Sequence, residues 1–171
     1  MDYIEDYYRG FDAGVTKYQY PEPFETIDDA REFLQGFVDD AKAGEMLFLA
    51  ILDESGKFVG SAEVHGLKED VSELGIWINA DQRKKGYAYE SLSAVINYTA
   101  EKYGKRRFFY EADLRNEGSQ RLLKKLAGEG SCGEDVGDVS RKFTCEPMNV
   151  DRFTTESGKY LELQGHMITV A

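Results

Sequence analysis

Glu73-Leu74-Gly75-Ile76-Trp77-Ile78-Asn79-Ala80-Asp81-Gln82-Arg83-Lys84-Lys85-Gly86-Tyr87-Ala88-Tyr89-Glu90 is the stretch on which the reading of this chain turns. Its first part alternates: Leu74, Ile76 and Ile78 face one way and Glu73, Gly75 and Trp77 the other, the pattern of a strand over residues 73–79. A polar loop follows, with three consecutive cations, Arg83, Lys84 and Lys85, and then Gly86. From Ala88 the period changes. Ala88, Leu92, Val95, Ile96, Thr99 and Tyr103 recur at helical spacing, and Gly104 closes the helix. A helix start carries free backbone N–H groups and partial positive charge, and so holds phosphates. Gly86 and the small Ala88 let a ligand approach the main chain. The chain has 21 Lys and Arg against 32 Asp and Glu, a net charge of -11, so three adjacent cations here favour an anionic ligand held locally. The same residues also read as a capped surface helix behind a solvated basic turn, and the loop alone does not decide between the two.

Working outward toward the amino end, Phe58 to His65 and Met46 to Leu52 read as two more strands, joined as a hairpin by Asp53-Glu54-Ser55-Gly56-Lys57. Before them, Ala30, Phe33, Leu34, Phe37, Val38 and Ala41 form the stripe of a helix; Thr26 and Asp28 are its candidate N-caps and Gly44 its end. Tyr3, Ile4, Tyr7, Tyr8 and Phe11 mark an earlier amphipathic helix, separated from it by Tyr20-Pro21-Glu22-Pro23. Toward the carboxyl end, Arg107 to Leu114 reads as a strand and Ser119 to Ala127 as a short helix with Leu122, Leu123 and Leu126 inward. A glycine-rich loop spans Gly128 to Gly137. Arg141 to Val150 and Tyr160 to Val170 then read as long strands, with Glu156-Ser157-Gly158-Lys159 as a turn between them. The order ααβββαβαββ predicts an α+β domain around a mixed, mostly antiparallel central sheet flanked by helices.

At 171 residues, with no repeat or Pro/Ser linker, the chain is expected to form a single domain over 1–171. Its 42% hydrophobic and 13% aromatic content is globular. The negative balance argues against nucleic-acid partners, which need phosphate neutralisation. The longest aliphatic run, Met46 to Leu52, is too short to span a bilayer, and the opening Met1-Asp2-Tyr3-Ile4-Glu5-Asp6 is acidic where an export signal is basic and then apolar. No membrane partner is expected, and the expected location is cytoplasmic. Cys132 and Cys145 make neither a disulfide framework nor a zinc set, so no metal is expected.

The loop over 83–88 resembles the Arg/Gln-x-x-Gly-x-Gly/Ala pyrophosphate signature of the GNAT superfamily of acetyl-CoA-dependent N-acetyltransferases. Glu73-Leu74-Gly75-Ile76-Trp77-Ile78 and Gly86-Tyr87-Ala88-Tyr89-Glu90 look like the branch that acetylates ribosomal-protein N-termini. A second block, Asn116-Glu117-Gly118-Ser119 followed by Leu122-Leu123-Lys124-Lys125-Leu126, resembles that branch's Asn-x-x-Ser between a strand and a helix. The resemblance covers residues 24–127. It departs at the amino end, where the family's first strand has no counterpart before Tyr3 to Phe11. It departs again at Leu126-Ala127-Gly128, where the branch usually reads Leu-Gly-Phe, and in the long strands of 141–170.

The resemblance implies a sheet splayed at the acetyl-CoA site and acetyl-CoA as co-substrate. Arg83, Lys84, Lys85, Gly86, Tyr87 and Ala88 would bind the cofactor, with the backbone amides from Lys84 to Ala88 holding the pyrophosphate. The open edge of Ile76, Trp77 and Ile78 would pair with the pantetheine amides, and Asn116 would hydrogen-bond the pantetheine arm. Lys125 would either meet a CoA phosphate or, as the favoured reading, stand as a solvated helix lysine. The reaction implied is direct acetyl transfer to a primary amine, either a protein N-terminus or a small cationic amine. Such transfer needs a neutral amine and hence a base. Glu73 is the candidate base, with Glu63 as runner-up, and Ser119 is the candidate acid or thiol-positioning group, with helix capping as its bland reading. Glu111 and Asp113 are candidates for attracting a cationic acceptor. His65 and His166 carry no nucleophile signature, and His65 is at most a wall of the acceptor site. A catalytically silent acyl-CoA-binding regulatory module is the alternative from another class, and a nucleotide-binding module is a third. The long carboxyl-terminal strands offer edges for a homodimer.

Overall fold

Strand alternation decides which helix each face of the sheet meets. In the computed structural model, which describes residues 2–128 and 143–171, the elements follow the expected order. They are α1 (Ile4–Gly10), α2 (Ile27–Lys42), β1 (Leu47–Leu52), β2 (Phe58–His65), β3 (Ser72–Ile78), α3 (Tyr87–Tyr103), β4 (Arg107–Asp113), α4 (Glu117–Leu126), β5 (Phe143–Thr154) and β6 (Tyr160–Val170). Single 3-10 turns at Thr16–Tyr18 and Ala80–Gln82 had no periodic signal in the sequence. The glycine-rich segment from residue 129, with Cys132 and residues 141 and 142, lies outside the described residues.

One sheet holds all six strands in the order β1-β2-β3-β4-β6-β5. Every pair is antiparallel except β3 and β4, which run parallel and meet only at Ser72↔Phe108 and Glu73↔Phe109. Beyond that point the two part company. β3 stays with β2 as far as Gly60↔Ile78, while β4 stays with β6 as far as Asp113↔Leu163. Each strand keeps its antiparallel partner, and the space between them opens into a splay.

The helices cover both faces. On one, α3 and α4 seal a core in which Val64, Leu74, Ile78, Leu92, Ile96, Phe108, Leu123 and Ile168 are buried. On the other, α1 and α2 cover an aromatic cluster of Tyr7, Phe11, Leu34, Phe58 and Trp77. The Trp77 ring meets Tyr7 edge-on at 4.9 Å and Phe11 at 5.4 Å between centroids. Residue 10 is glycine because a β-carbon there would collide with the Asn79 side chain and crowd Trp77.

Local chemistry sets the helix limits. Of the two candidate caps on α2, Thr26 is the one used. Thr26 Oγ1 accepts from the Asp29 N–H at 3.2 Å, and the Asp29 carboxylate accepts from the Thr26 N–H at 2.9 Å, a reciprocal capping box. Gly104 ends α3 with φ +70°, a left-handed conformation that favours glycine.

The α1–α2 connection is tied down from two sides. From the β5–β6 turn, Lys159 Nζ donates to the Thr16 carbonyl at 2.8 Å and the Gln19 carbonyl at 3.3 Å, and it pairs with Glu22 at 2.6 Å. From the basic loop, Arg83 Nη2 donates to the Gly14 carbonyl at 3.1 Å. No helix among the described residues is long and apolar enough to cross a membrane.

Candidate active site

The loop before α3 is built to present amides. Lys84 takes φ +65° and Gly86 φ +94°, so the chain twice turns left-handed within three residues. Gly86 caps α3 without a side chain to offer, and the first helical bond runs from the Glu90 N–H to the Gly86 carbonyl at 3.1 Å. The N–H groups of Tyr87, Ala88 and Tyr89 lie ahead of that bond and point out of the helix start, where an anion takes them. A β-carbon built on Gly86 meets nothing within 4 Å, so its φ rather than crowding demands glycine.

The splay supplies a free strand edge. The Asn79 N–H donates to the Val59 carbonyl at 2.8 Å, which fixes the phase of the β2–β3 ladder. Counting back by twos, Trp77 is bonded to β2, while Ile76 and Ile78 turn their backbone groups toward the splay. The Ile78 carbonyl is already taken by Arg83 Nε at 3.3 Å. The Ile76 amide and carbonyl and the Ile78 N–H remain to pair with an extended ligand.

Loop and edge border one cleft of about 560 Å³. It contains Ile76, Trp77, Ile78, Arg83, Lys84, Gly86, Tyr87, Ala88, Asn116 and Ser119 from the residues expected at the site. Its wall includes the cations Lys17, Arg83, Lys84, Arg121 and Lys125 and no Asp or Glu, in a chain of net charge -11. Lys85 and Glu73 are not part of that wall: Lys85 Nζ donates instead to Gln82 Oε1 at 2.8 Å. Lys125, for which the sequence favours a solvated reading over a phosphate contact, stands on the cleft with Nζ 4.2 Å from the Tyr89 ring centroid.

At the far wall, α4 begins. Asn116 Oδ1 accepts from the Ser119 N–H at 3.2 Å, so Asn116 is the helix cap and only its Nδ2 is left for a ligand. Ser119 Oγ accepts from the Tyr110 phenol at 3.3 Å. Tyr110 is buried, which pushes its pKa up although the Ser119 contact opposes the shift.

The carboxylates lie on the opposite face of the sheet. Glu73 is exposed at the base of the splay, in register with His65 on β2 and Phe109 on β4. Beside it, Glu111 has its pKa raised by burial, then by the negative charges of Glu73 and Asp151. Glu63 is buried, takes a 2.6 Å hydrogen bond from Ser61 Oγ, and has its pKa raised by burial against that bond. Asp113 is committed elsewhere. Fully buried, it accepts from Arg115 Nε at 2.8 Å, from Arg115 Nη2 at 2.7 Å and from the Glu162 N–H at 3.0 Å. Burial opposes its ionisation, but these donors prevail and hold its pKa below the ordinary range. Its role in attracting an acceptor is therefore replaced by a structural one, since it clamps Arg115, whose Nη2 reaches the Tyr160 carbonyl at 2.7 Å. His65 packs edge-on against Phe37 at 5.2 Å, and His166 is buried on β6, where burial lowers its pKa. Among the described residues no group of three His, Cys, Asp or Glu could hold a metal ion.

Sequence reasoning missed Val15, Lys17 and Tyr18 from the α1–α2 connection, and Tyr89, Tyr110 and Arg121. For Tyr110 and Arg121 a signal existed: Tyr110 alternates with Phe108 onto the α4 side of β4, and Arg121 lies three residues after Gly118 and four before Lys125 on one face of α4. For 15–18 there was none, because only the contacts of Lys159 and Arg83 bring that segment over the splay.

The fold has counterparts. A spermidine N-acetyltransferase from Vibrio cholerae, in complex with CoA and spermine, superposes with a TM-score of 0.74 at 15% identity, over 98% of this chain and 90% of that one. RimJ from Mycobacterium smegmatis, in complex with CoA-disulfide, gives 0.77 at 13% identity over 98% and 78%. RimL, a ribosomal L7/L12 alpha-N-protein acetyltransferase in complex with coenzyme A, gives 0.76 at 12% over 97% and 88%. These identities speak for a shared fold. No curated protein matches the sequence. The acetyltransferase (GNAT) domain model matches residues 2–129, which include the basic loop, the splayed strands and the Asn116–Ser119 helix start. Matched over about three quarters of its length, the chain belongs to the GNAT acetyltransferase family.

Proposed function

We propose that this enzyme transfers the acetyl group of acetyl-CoA directly to a primary amine, a protein N-terminus or a small cationic amine. The observation that carries the proposal is the cleft wall: five cations and no carboxylate, at a helix start with unsatisfied amides, beside an open strand edge. The amides of 84–89 suit a diphosphate, and the Ile76 and Ile78 edge suits the two amides of a pantetheine arm. Lys84, Arg121 and Lys125 supply counter-charge to phosphate. Acetyl-CoA supplies an activated acyl carbon on a thiol leaving group.

This chain's residues then divide the work across the sheet. The cofactor side, with Asn116 and Ser119, lies on the face of α3 and α4. Glu73 and Glu111 lie on the face of α1 and α2, where an amine enters. Glu73, exposed at the base of the splay, accepts a proton from the entering ammonium, directly or through water. Ser119 donates a hydrogen bond to the sulfur. Acidic groups on the amine's side favour a cationic acceptor. β5, at the outer edge of the sheet and largely exposed, suits pairing with a second copy, and a cytoplasmic setting suits the reaction; light scattering and fractionation test these two.

Incubation with acetyl-CoA and a panel of primary amines, with free thiol as the readout, tests the proposal. Thiol released only in the presence of an amine is the expected result; CoA binding without release from any amine rejects catalysis. Glu73→Gln is expected to lose turnover near neutral pH and to recover it as the pH approaches the amine's own pKa. A full-rate variant removes Glu73 from the mechanism.

A further inference from the structure

We propose that Tyr110 is a positioning residue that turns the Ser119 hydroxyl hydrogen into the cleft, toward the thioester sulfur. This rests on the reading of Ser119 given above, and adds to it the group that aims the serine.

Three observations carry it. First, Ser119 is free of the duty its position suggests. A serine at a helix start ordinarily caps it, but here Asn116 Oδ1 takes the Ser119 N–H at 3.2 Å. Second, Ser119 Oγ is an acceptor from the Tyr110 phenol, at 3.3 Å. A hydroxyl has one hydrogen and two lone pairs. With a lone pair engaged on the β4 side, its own hydrogen is directed away from Tyr110. Third, both side chains stand on the cleft that also holds Ile76 and Asn116, and Tyr110 is 4% exposed. Burial disfavours the phenolate, so the phenol keeps the hydrogen that it donates. β4 provides this geometry because its alternation sends Phe108, Tyr110 and Ala112 to the side of α4, away from Glu111.

In the transfer, the bond from the acyl carbon to the amine nitrogen forms as the bond from that carbon to sulfur breaks, and the electron pair of the broken bond goes to sulfur. The nitrogen's surplus proton leaves on the Glu73 side, and the thiolate takes up a proton from solvent. Ser119 keeps its hydrogen throughout and donates a hydrogen bond to the sulfur, where negative charge accumulates. Without the phenol the serine hydrogen has no fixed direction.

Tyr110→Phe, Ser119→Ala and the double variant test the proposal in two ways. In steady-state kinetics, Tyr110→Phe lowers kcat by about 5- to 10-fold, the size of one neutral hydrogen bond, and leaves the KM for acetyl-CoA unchanged. It adds no further loss on top of Ser119→Ala. In calorimetry without turnover, the wild type binds CoA more tightly than desulfo-CoA. Either single substitution removes that preference, and neither changes the affinity for desulfo-CoA. A fluorotyrosine installed at 110 retains the donor and keeps kcat within about twofold of wild type. Full activity in Tyr110→Phe, a loss additive with Ser119→Ala, or a fluorotyrosine variant as slow as Tyr110→Phe overturns the proposal. If Ser119→Ala itself changes neither turnover nor the CoA preference, the reading of Ser119 fails first. If Ser119→Ala does both and Tyr110→Phe neither, only the role of Tyr110 falls.

Discussion

The Glu63 carboxylate lies over the main chain of Gly75, its cross-strand partner, in the space a β-carbon on residue 75 would take. Gly75 thus makes room for a buried acid between Ser61 and the aromatic cluster.

Burial raises the Glu63 pKa, and Ser61 only partly offsets it. The folded state therefore holds the proton more tightly than the unfolded one. The sign follows: stability is unpenalised below the ordinary carboxyl pKa, falls as pH rises through the window up to the raised value, and levels off above it. Glu63→Gln keeps the oxygen that accepts from Ser61 and removes the ionisation. Its melting temperature is expected to equal that of wild type near pH 4 and to exceed it near pH 8. Equal melting curves at both pH values contradict the buried acid. Gly75→Ala drives a methyl into the carboxylate and is expected to cost about 1–3 kcal/mol, a loss that Glu63→Ala partly restores.

Gly86 and Lys84 both sit at positive φ, yet substitution is expected to act on them in opposite ways. Gly86→Val strains the turn and fills the mouth of the amide cradle. CoA binding measured by calorimetry is expected to be lost while the far-ultraviolet circular dichroism stays that of a folded protein. Lys84→Gly relieves a left-handed lysine, raising stability by about 0.5–1 kcal/mol, while removing one of five cations from the cleft. Weaker CoA binding in a more stable protein is the expected pair of results. Unchanged affinity in both variants places the coenzyme elsewhere.

Asp113→Asn removes a clamp rather than an acceptor contact. The carboxylate is buried and its Arg115 partner half exposed, so the expected loss is about 1–2 kcal/mol in urea unfolding. The Asp113 pKa is depressed in the folded state, so the clamp contributes fully above the ordinary Asp pKa and is lost as pH falls through the folded value. The gap between wild type and Asp113→Asn is therefore wide at pH 7 and narrows at low pH. A fall in activity with no loss of stability would return Asp113 to the acceptor site.

These expectations show where sequence sufficed. Alternation from Leu74 to Ile78 and the helical spacing from Ala88 to Tyr103 placed the strand, the loop and the helix start, because those signals are local. The helix start at Asn116–Ser119 was local too, although Asn116 rather than Ser119 caps it. Asp113 read as a candidate for attracting the acceptor because nothing in its spacing from Arg115, two residues on, says that the pair is buried against β6. Trp77 alternated onto the correct face, but its burial depends on α1 and on Gly10 passing close to Asn79. The segment 14–19 carried no signal, because it is held over the splay by Arg83 and Lys159 from 69 and 140 or more residues away.

Arg83 joins the two halves of the site. Nε holds the Ile78 carbonyl and Nη2 the Gly14 carbonyl, so the end of the open strand and the α1–α2 connection share one guanidinium. A lysine cannot span both carbonyls in that fixed fork. Arg83→Lys keeps the positive charge beside the amide cradle but releases Gly14 and the wall formed by Val15, Lys17 and Tyr18. The KM for the amine is therefore expected to rise several-fold while the dissociation constant for CoA changes by less than about twofold, since charge and main-chain donors remain. Steady-state kinetics in the amine, set beside calorimetry with CoA, separates the two. A larger change in CoA affinity than in amine KM would make Arg83 a phosphate ligand and leave the connection to be positioned by Lys159 alone.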